Sequence, residues 1–256
     1  MELEGKKAIV FGVANKRSIA WAISQKLHQG GAKLTLAYQE RFLRTIEKLL
    51  EEEGIPDALL VECDVTQEGA IENVFARHHE KWGALHQVVH SVAFAQREDL
   101  EGEFTATSRD GFRLALEISA YSLIPMGREA RKYMTEGGSL IAMTYLASQR
   151  VVPSYNVMGS AKAALEHIVR QLAFELGPQG IRVNAVSAGP LQTVSARGVA
   201  SFNDIRNIYP EKTPLRRNIT VEEAADASYF LLSDRASGIT GQVLFVDSGF
   251  SIMAGM

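Results

Sequence analysis

A repeated alternation constrains this chain more than any other feature. A short apolar run is followed by a longer segment whose apolar residues recur at three and four positions, and the pattern persists from end to end. Lys6–Phe11, Leu34–Tyr38, Ala58–Glu62, a run marked by Val88 and Val89, Ser139–Thr144, Val183–Ser187 and Val243–Val246 read as strands. Between them lie helical segments. Ile19–Leu27 stops at Gly30–Gly31, and the charged, amphipathic Arg41–Glu53 closes at Gly54. Another opens at Thr66, with Glu68 and Glu72 behind it, and runs toward Trp82 and Gly83. A long stretch begins near Ser108, with Pro125 expected to kink its interior. Lys162–Leu176 ends at Gly177–Pro178, and Thr220–Leu232 carries Glu222 and Glu223 in its first turn. Strands and helices alternating at this interval predict right-handed crossovers and a parallel sheet buried on both faces.

The expected fold class is therefore α/β: a single doubly wound, Rossmann-type sheet with helices on both faces, forming one domain over residues 1–256. Ala188–Pro214 breaks the rhythm. It holds Gly189–Pro190, Gly198, Pro210 and Pro214 and is too long for an ordinary connection, so it reads as irregular. Residues 190–214 or so are taken as a substrate-binding lid in preference to a poorly ordered insertion. The net charge of −3, without a long basic run, gives no general attraction to nucleic acid or acidic membranes. A single cysteine, Cys63, excludes an internal disulfide and suits a reducing compartment. MELEGKK lacks an apolar signal core and no apolar run reaches spanning length, so a soluble cytoplasmic domain is expected.

The chemistry concentrates in YNVMGSAK, Tyr155–Lys162. Residues seven apart are nearly two helical turns apart and can share a face. A phenol near an ammonium can stabilise an oxygen anion. Upstream, the first strand runs into GVANKRSIA, which lacks G-x-G-x-x-G but keeps Gly12 for a tight turn and Ser18 at a helix start. On its own this is equally a plain helix cap. The second strand ends in Tyr38–Gln39–Glu40, where an amide or acid can meet ribose hydroxyls and disfavour a 2′-phosphate; Arg41 next door could instead hold one. Asp64–Val65 ends the third strand, and Asp64 suits adenine contact or a cap before Thr66 equally well. His90 reads as a satisfied buried histidine and His78–His79 as a solvated helix face, and no metal site is expected.

Gly12-x5-Ser18-x-Ala20, CDV at 63–65, HSVAFA at 90–95, YNVMGSAK, SAGPLQT at 187–193 and ITGQVLFVD at 239–247 occur in one order over nearly the whole chain. Together they resemble the short-chain dehydrogenase/reductase superfamily and, within it, the divergent FabI-type enoyl-acyl-carrier-protein reductases. Most of the superfamily carries Tyr-x3-Lys; here Met158 stands at that tyrosine position and the spacing is Tyr-x6-Lys.

The resemblance implies NADH-dependent reduction of the trans-2 double bond of an enoyl thioester in fatty-acid elongation, with NADPH the lesser cofactor. It implies that Tyr155 stabilises the enolate oxygen, Lys162 holds the nicotinamide ribose and Tyr145 lines the pocket as a second catalytic tyrosine. Cofactor contacts are expected from Gly12, Ser18, Ile19, Gln39, Asp64, Val65, Ser91, Ala93, Lys162, Ala188, Pro190 and Thr193. The acyl pocket is expected from Phe94, Tyr145, Tyr155, Met158, Ser195, Phe202 and Ile205. Three departures from the family pattern bear on the pocket: Ala93 for glycine, Gln192 for a basic residue and Ser195 for alanine. Ser119 stands where the wider superfamily keeps an asparagine. The expected partners are an enoyl-acyl-carrier-protein or enoyl-CoA substrate and three further copies of the chain, with no nucleic acid or membrane. A carbonyl reductase or alcohol dehydrogenase, and a dinucleotide sensor without turnover, are the competing readings.

Overall fold

The computed structural model describes residues 1–193 and 202–253, with the backbone alone for 202–204. Seven parallel strands form one sheet in the order β3-β2-β1-β4-β5-β6-β7. They are β1 Lys7–Phe11, β2 Lys33–Tyr38, β3 Leu59–Glu62, β4 Gln87–His90, β5 Gly138–Thr144, β6 Ile181–Ala188 and β7 Val243–Val246. Strand order reverses between β1 and β4, the place where doubly wound sheets open a ligand crevice. The expected α/β fold, a doubly wound parallel sheet with helices on both faces, is the one observed.

Side chains alternate along each strand, so one strand feeds two cores. Ala8 and Val10 of β1 join Trp21, Leu27, Ile46 and Leu231 beneath helices α1 (Ile19–Gln29), α2 (Leu43–Glu52) and α8 (Val221–Leu232). Ile9 and Phe11 join Phe75, Leu123 and Leu165 beneath α3 (Ala70–Trp82), α5 (Leu123–Tyr133) and α6 (Asn156–Leu176). Burying a side chain of this size contributes about 1.5–3 kcal/mol. α8 starts with a full capping box: Glu223 N–H donates to Thr220 Oγ1 at 3.2 Å and Thr220 N–H to Glu223 Oε2 at 2.8 Å.

Four expectations are corrected. Thr66 does not open α3. It sits in a turn where its N–H and hydroxyl donate to Asp64 Oδ1 at 3.0 and 2.8 Å, and the helix begins at Ala70 after Gly69. Pro125 does not kink a helix interior, because it lies in the first turn of α5, where no intrahelical donor is lost. The break lies upstream, where α4 (Arg109–Leu116) widens into a π-helical segment, Glu117–Tyr121, and Ser122 N–H reaches Glu117 O at 3.1 Å. The lid is not wholly irregular, since Phe202–Lys212 forms helix α7. Finally, only His79 is solvated. His78 is fully buried; Thr35 Oγ1 donates to its Nδ1 at 2.8 Å and its Nε2–H donates to Ala84 O at 3.2 Å.

His90 is also fully buried, and only half satisfied. Ser122 Oγ gives its proton to Ile118 O at 2.7 Å and accepts from His90 Nε2–H at 2.8 Å, while His90 Nδ1 has no partner. Burial pushes the pKa of His78 down to about 4 and of His90 down to about 3, the latter with help from the Lys162 charge. Both stay neutral in the folded state while the unfolded chain takes up protons near pH 6.5. Stability is therefore expected to fall as pH drops from 6.5 toward 5, by up to about 1.4 kcal/mol per unit for each histidine. Urea unfolding at pH 7, 6 and 5 reads this directly, and a midpoint constant across the window would contradict neutral burial.

Candidate active site

The C-terminal ends of five neighbouring strands carry most of the expected site. Gly12 follows β1, Gln39 follows β2, Asp64 and Val65 follow β3, Ser91 to Phe94 follow β4, and Tyr145 follows β5. Parallel register brings them to one edge: Phe11 pairs with Ala37 and His90, and His90 with Ala142. Hydrogen bonds extend the alignment beyond the strands, Gly12 N–H to Ala37 O at 3.2 Å and Ser91 N–H to Phe11 O at 3.2 Å. Gly12 has φ +96, and a Cβ there would overlap the Ser91 carbonyl. A backbone this bare beside a helix N-terminus suits close approach of a diphosphate.

Ser18 does cap α1, with Trp21 N–H donating to its Oγ at 3.3 Å, so the plain capping role is realised; Ile19 packs against the core beside it. Asp64 likewise fills its local role, using one oxygen on Thr66. Gln39 is exposed, and Arg41 donates to its Oε1 at 2.7 Å. The Gly189–Pro190 segment after β6 is buried, anchored by Gly189 N–H to Val246 O at 2.8 Å, with Ala188 ending the strand. Thr193 is half-buried, as is Ile205 on α7. Ser195 and the side chain of Phe202 lie outside the described residues.

Tyr155 is the N-cap of α6 and sits between Ser154 at φ 62 and Asn156 at φ 35. Two consecutive excursions into the left-handed region around one residue are costly and occur where side-chain direction matters. Asn156, a residue that tolerates this conformation, braces the turn by donating to Leu100 O and Gly102 O, each at 3.3 Å. The Tyr155 ring packs against Tyr145 with centroids 4.9 Å apart and planes tilted 56°. Burial drives the Tyr155 pKa well above 10, and the nearby Tyr145 adds to this; burial pushes Tyr145 up to about 12. Both are neutral phenols at physiological pH, the form that donates a hydrogen bond.

Lys162 is 5% exposed, and its Nζ donates to Met143 O at 2.8 Å. The remaining ammonium protons suit two ribose hydroxyls. Burial pushes its pKa down to about 8, opposed by the charge of Glu166. Met158 is equally buried, in a small apolar cluster with Leu100, Val157 and Ala161, against which Ala93 and Tyr155 pack. Ser119, on the π-helical segment, accepts from Phe94 N–H at 3.0 Å and lies 3.7 Å from Met158 Sδ. Phe94 itself is 43% exposed at the mouth. A thioether thus fills the position of the superfamily's usual tyrosine, and the phenol is displaced to the helix start.

The enoyl-(acyl carrier protein) reductase family pattern matches residues 12–251. The chain belongs to this family. Among curated members it is similar to the NADH-dependent enoyl-[acyl-carrier-protein] reductase FabI of Bacillus cereus, 50% identical over 252 residues and 98% of each chain. The NADPH-dependent FabI of Staphylococcus aureus is 48% identical over 251 residues, again 98% of each. Among solved structures, the Bacillus cereus enoyl-acyl-carrier-protein reductase with NADP+ and indole naphthyridinone superposes with TM-score 0.96, covering 99% of this chain and 100% of that one at 50% identity. The Anaplasma phagocytophilum reductase in complex with NAD gives 0.94, covering 100% and 97% at 41% identity.

Two buried residues beside the candidate site escaped the sequence reading. Tyr209 of α7 is 1% exposed, stacks on Phe250 with centroids 4.3 Å apart, and brings its hydroxyl near the Tyr145 hydroxyl and the Asp247 carboxylate without a hydrogen bond of normal geometry. A tyrosine inside a lid segment gives no local signal of such a contact. Glu166, buried one turn beyond Lys162, was legible as a charge on the apolar face of α6. Replacing Gly12 by alanine is expected to weaken NADH binding at least tenfold and also to lower stability, because the added Cβ meets the Ser91 backbone at a positive φ. Fluorescence titration beside circular dichroism checks it, and unchanged affinity would refute the close approach assigned to this turn.

Proposed function

We propose that this chain reduces the trans-2 double bond of enoyl thioesters with NADH through Tyr155, Lys162 and Tyr145. The observation that carries the choice of a C=C over a C=O bond is the burial of Met158 at the position where a carbonyl reductase needs its phenol. NADH, when bound, would supply a hydride to the β-carbon, and the enolate so formed takes up a proton at the α-carbon. The Tyr155 hydroxyl, held neutral by burial, donates to the thioester oxygen as negative charge builds there. Tyr145 packs against it and keeps its ring in place. Lys162 binds the nicotinamide ribose through the protons that Met143 O leaves free. Gly12, Ser18 and Ile19 receive the diphosphate, joined by Ser91, Ala93, Ala188, Pro190 and Thr193; Gln39, Asp64 and Val65 flank the adenosine. Phe94, Met158, Ser195, Phe202 and Ile205 wall the acyl chain, with residues 190–214 as the lid.

Engagement of Arg41 by Gln39, together with Glu40 beside it, supports NADH over NADPH. Exposed Phe112, Tyr121 and Ile124 on the α4–α5 stretch, and Phe174 on α6, support burial against further copies in a homotetramer. No helix among the described residues is long and apolar enough to cross a membrane, which fits a cytoplasmic enzyme acting on carrier-protein or coenzyme A thioesters.

Oxidation of NADH and NADPH is to be followed with crotonyl-CoA, a longer enoyl thioester and a ketone. Turnover with the enoyl thioesters is expected; turnover with the ketone alone would overturn the proposal. Tyr155→Phe is expected to lower kcat about 100-fold while NADH still binds. Lys162→Ala is expected to weaken NADH binding at least tenfold. Because the ammonium is charged below about pH 8, wild-type NADH affinity should hold from pH 6 to 7.5 and decline as pH rises through 8. A plateau lasting to pH 10 would show a solvated lysine.

A further inference from the structure

Glu166 has no part in the roles above, yet it is a carboxylate only 3% exposed, on the inward face of α6. Burial of such a group is costly unless donors surround it. Thr144 Oγ1 donates to Oε1 at 2.8 Å, Ser148 Oγ to the same oxygen at 2.6 Å, and Gln149 Nε2 to Oε2 at 3.4 Å. All three donors come from one stretch, the end of β5 and the turn after it, and Tyr145 lies inside that stretch. Lys162 holds the residue before it, Met143, by the carbonyl. Two side chains one helical turn apart thus bind four residues of the segment that presents Tyr145 to Tyr155.

We propose that Glu166 is a positioning residue: its carboxylate clamps the Tyr145 turn onto α6 and serves as the through-space counter-charge of Lys162. The two do not touch as an ion pair, so the charge acts along one turn of helix. Among the described residues, the titratable groups that interact with the Lys162 charge are Glu166 on its own helix and His90 at the end of β4. Glu166 is the only carboxylate among them. The proposal rests on the roles given to Lys162 and Tyr145, and its tests separate the two.

Glu166→Gln keeps an oxygen for Thr144 and Ser148 but removes the charge. It should move the alkaline decline of NADH affinity about 0.5 pH unit or more to lower pH, with a small effect on kcat at pH 6.5. Glu166→Ala should add an about tenfold or greater loss of kcat at pH 6.5. If Glu166 variants do not fold, the pair Thr144→Val and Ser148→Ala leaves the carboxylate but removes two of its donors. That pair should lower kcat about tenfold, leave KM for NADH near wild type and leave the alkaline decline in place. Lys162→Ala is measured alongside. If it weakens NADH binding while Glu166→Gln leaves the decline unmoved, the assignment of Glu166 alone is overturned. If Lys162→Ala binds NADH normally, the Lys162 role and this proposal fall together. An unchanged kcat in both Glu166→Ala and the Thr144/Ser148 pair would refute the clamp.

Discussion

An ammonium held out of water between a strand and a helix is the interaction on which the site depends. Lys162 points from α6 into the seam against β5, where its Nζ donates to the Met143 carbonyl and it meets almost no solvent. Burial disfavours its charged form, and the carboxylate of Glu166 one turn away works against that. The same carboxylate takes the hydroxyls of Thr144 and Ser148, so the charge that favours the lysine also secures the turn bearing Tyr145. In the proposed function, cofactor grip and phenol placement therefore share one polar cluster inside an otherwise apolar layer.

The sheet makes that cluster useful. In a parallel sheet every strand delivers its following loop to the same edge, and the reversal of order between β1 and β4 parts the helices there. Residues as distant as Gly12 and Ser91 come within contact because their strands pair directly, and the contact is close enough that only glycine fits. The two cores on either face hold this edge rigid, since β1 alone contributes side chains to both.

The proposed choice of a C=C over a C=O bond rests on a displacement along α6. With Met158 packed into an apolar cluster and Ser119 meeting its sulfur, no hydroxyl remains one turn before Lys162. The phenol is supplied by Tyr155 at the helix start, where a strained cap between Ser154 and Asn156 sets its direction. The π-helical segment carrying Ser119 belongs to the same device, because it brings that hydroxyl to the Phe94 amide at the pocket mouth.

Much of this was legible in the sequence because it is periodic. Alternation of strand and helix patterns determined the doubly wound sheet, and the YNVMGSAK stretch lies at the start of α6 as read. Errors fell where a local signal had two uses. Thr66 looks like a helix cap but serves the Asp64 turn, Pro125 looks like a kink but opens a helix, and His78 looks solvated on a charged helix but reaches Thr35 in the sheet. Helix α7 carries Tyr209 to Phe250 and Tyr145 across gaps of some forty and sixty residues, beyond any local pattern. By itself the sequence determined the architecture and the spacing of Tyr155 and Lys162, the pair proposed to react, because backbone periodicity is a local property. Only the tertiary structure decided that Lys162 and Glu166 are buried, and how Tyr145 meets Tyr155, because burial and charge environment belong to elements that are far apart along the chain.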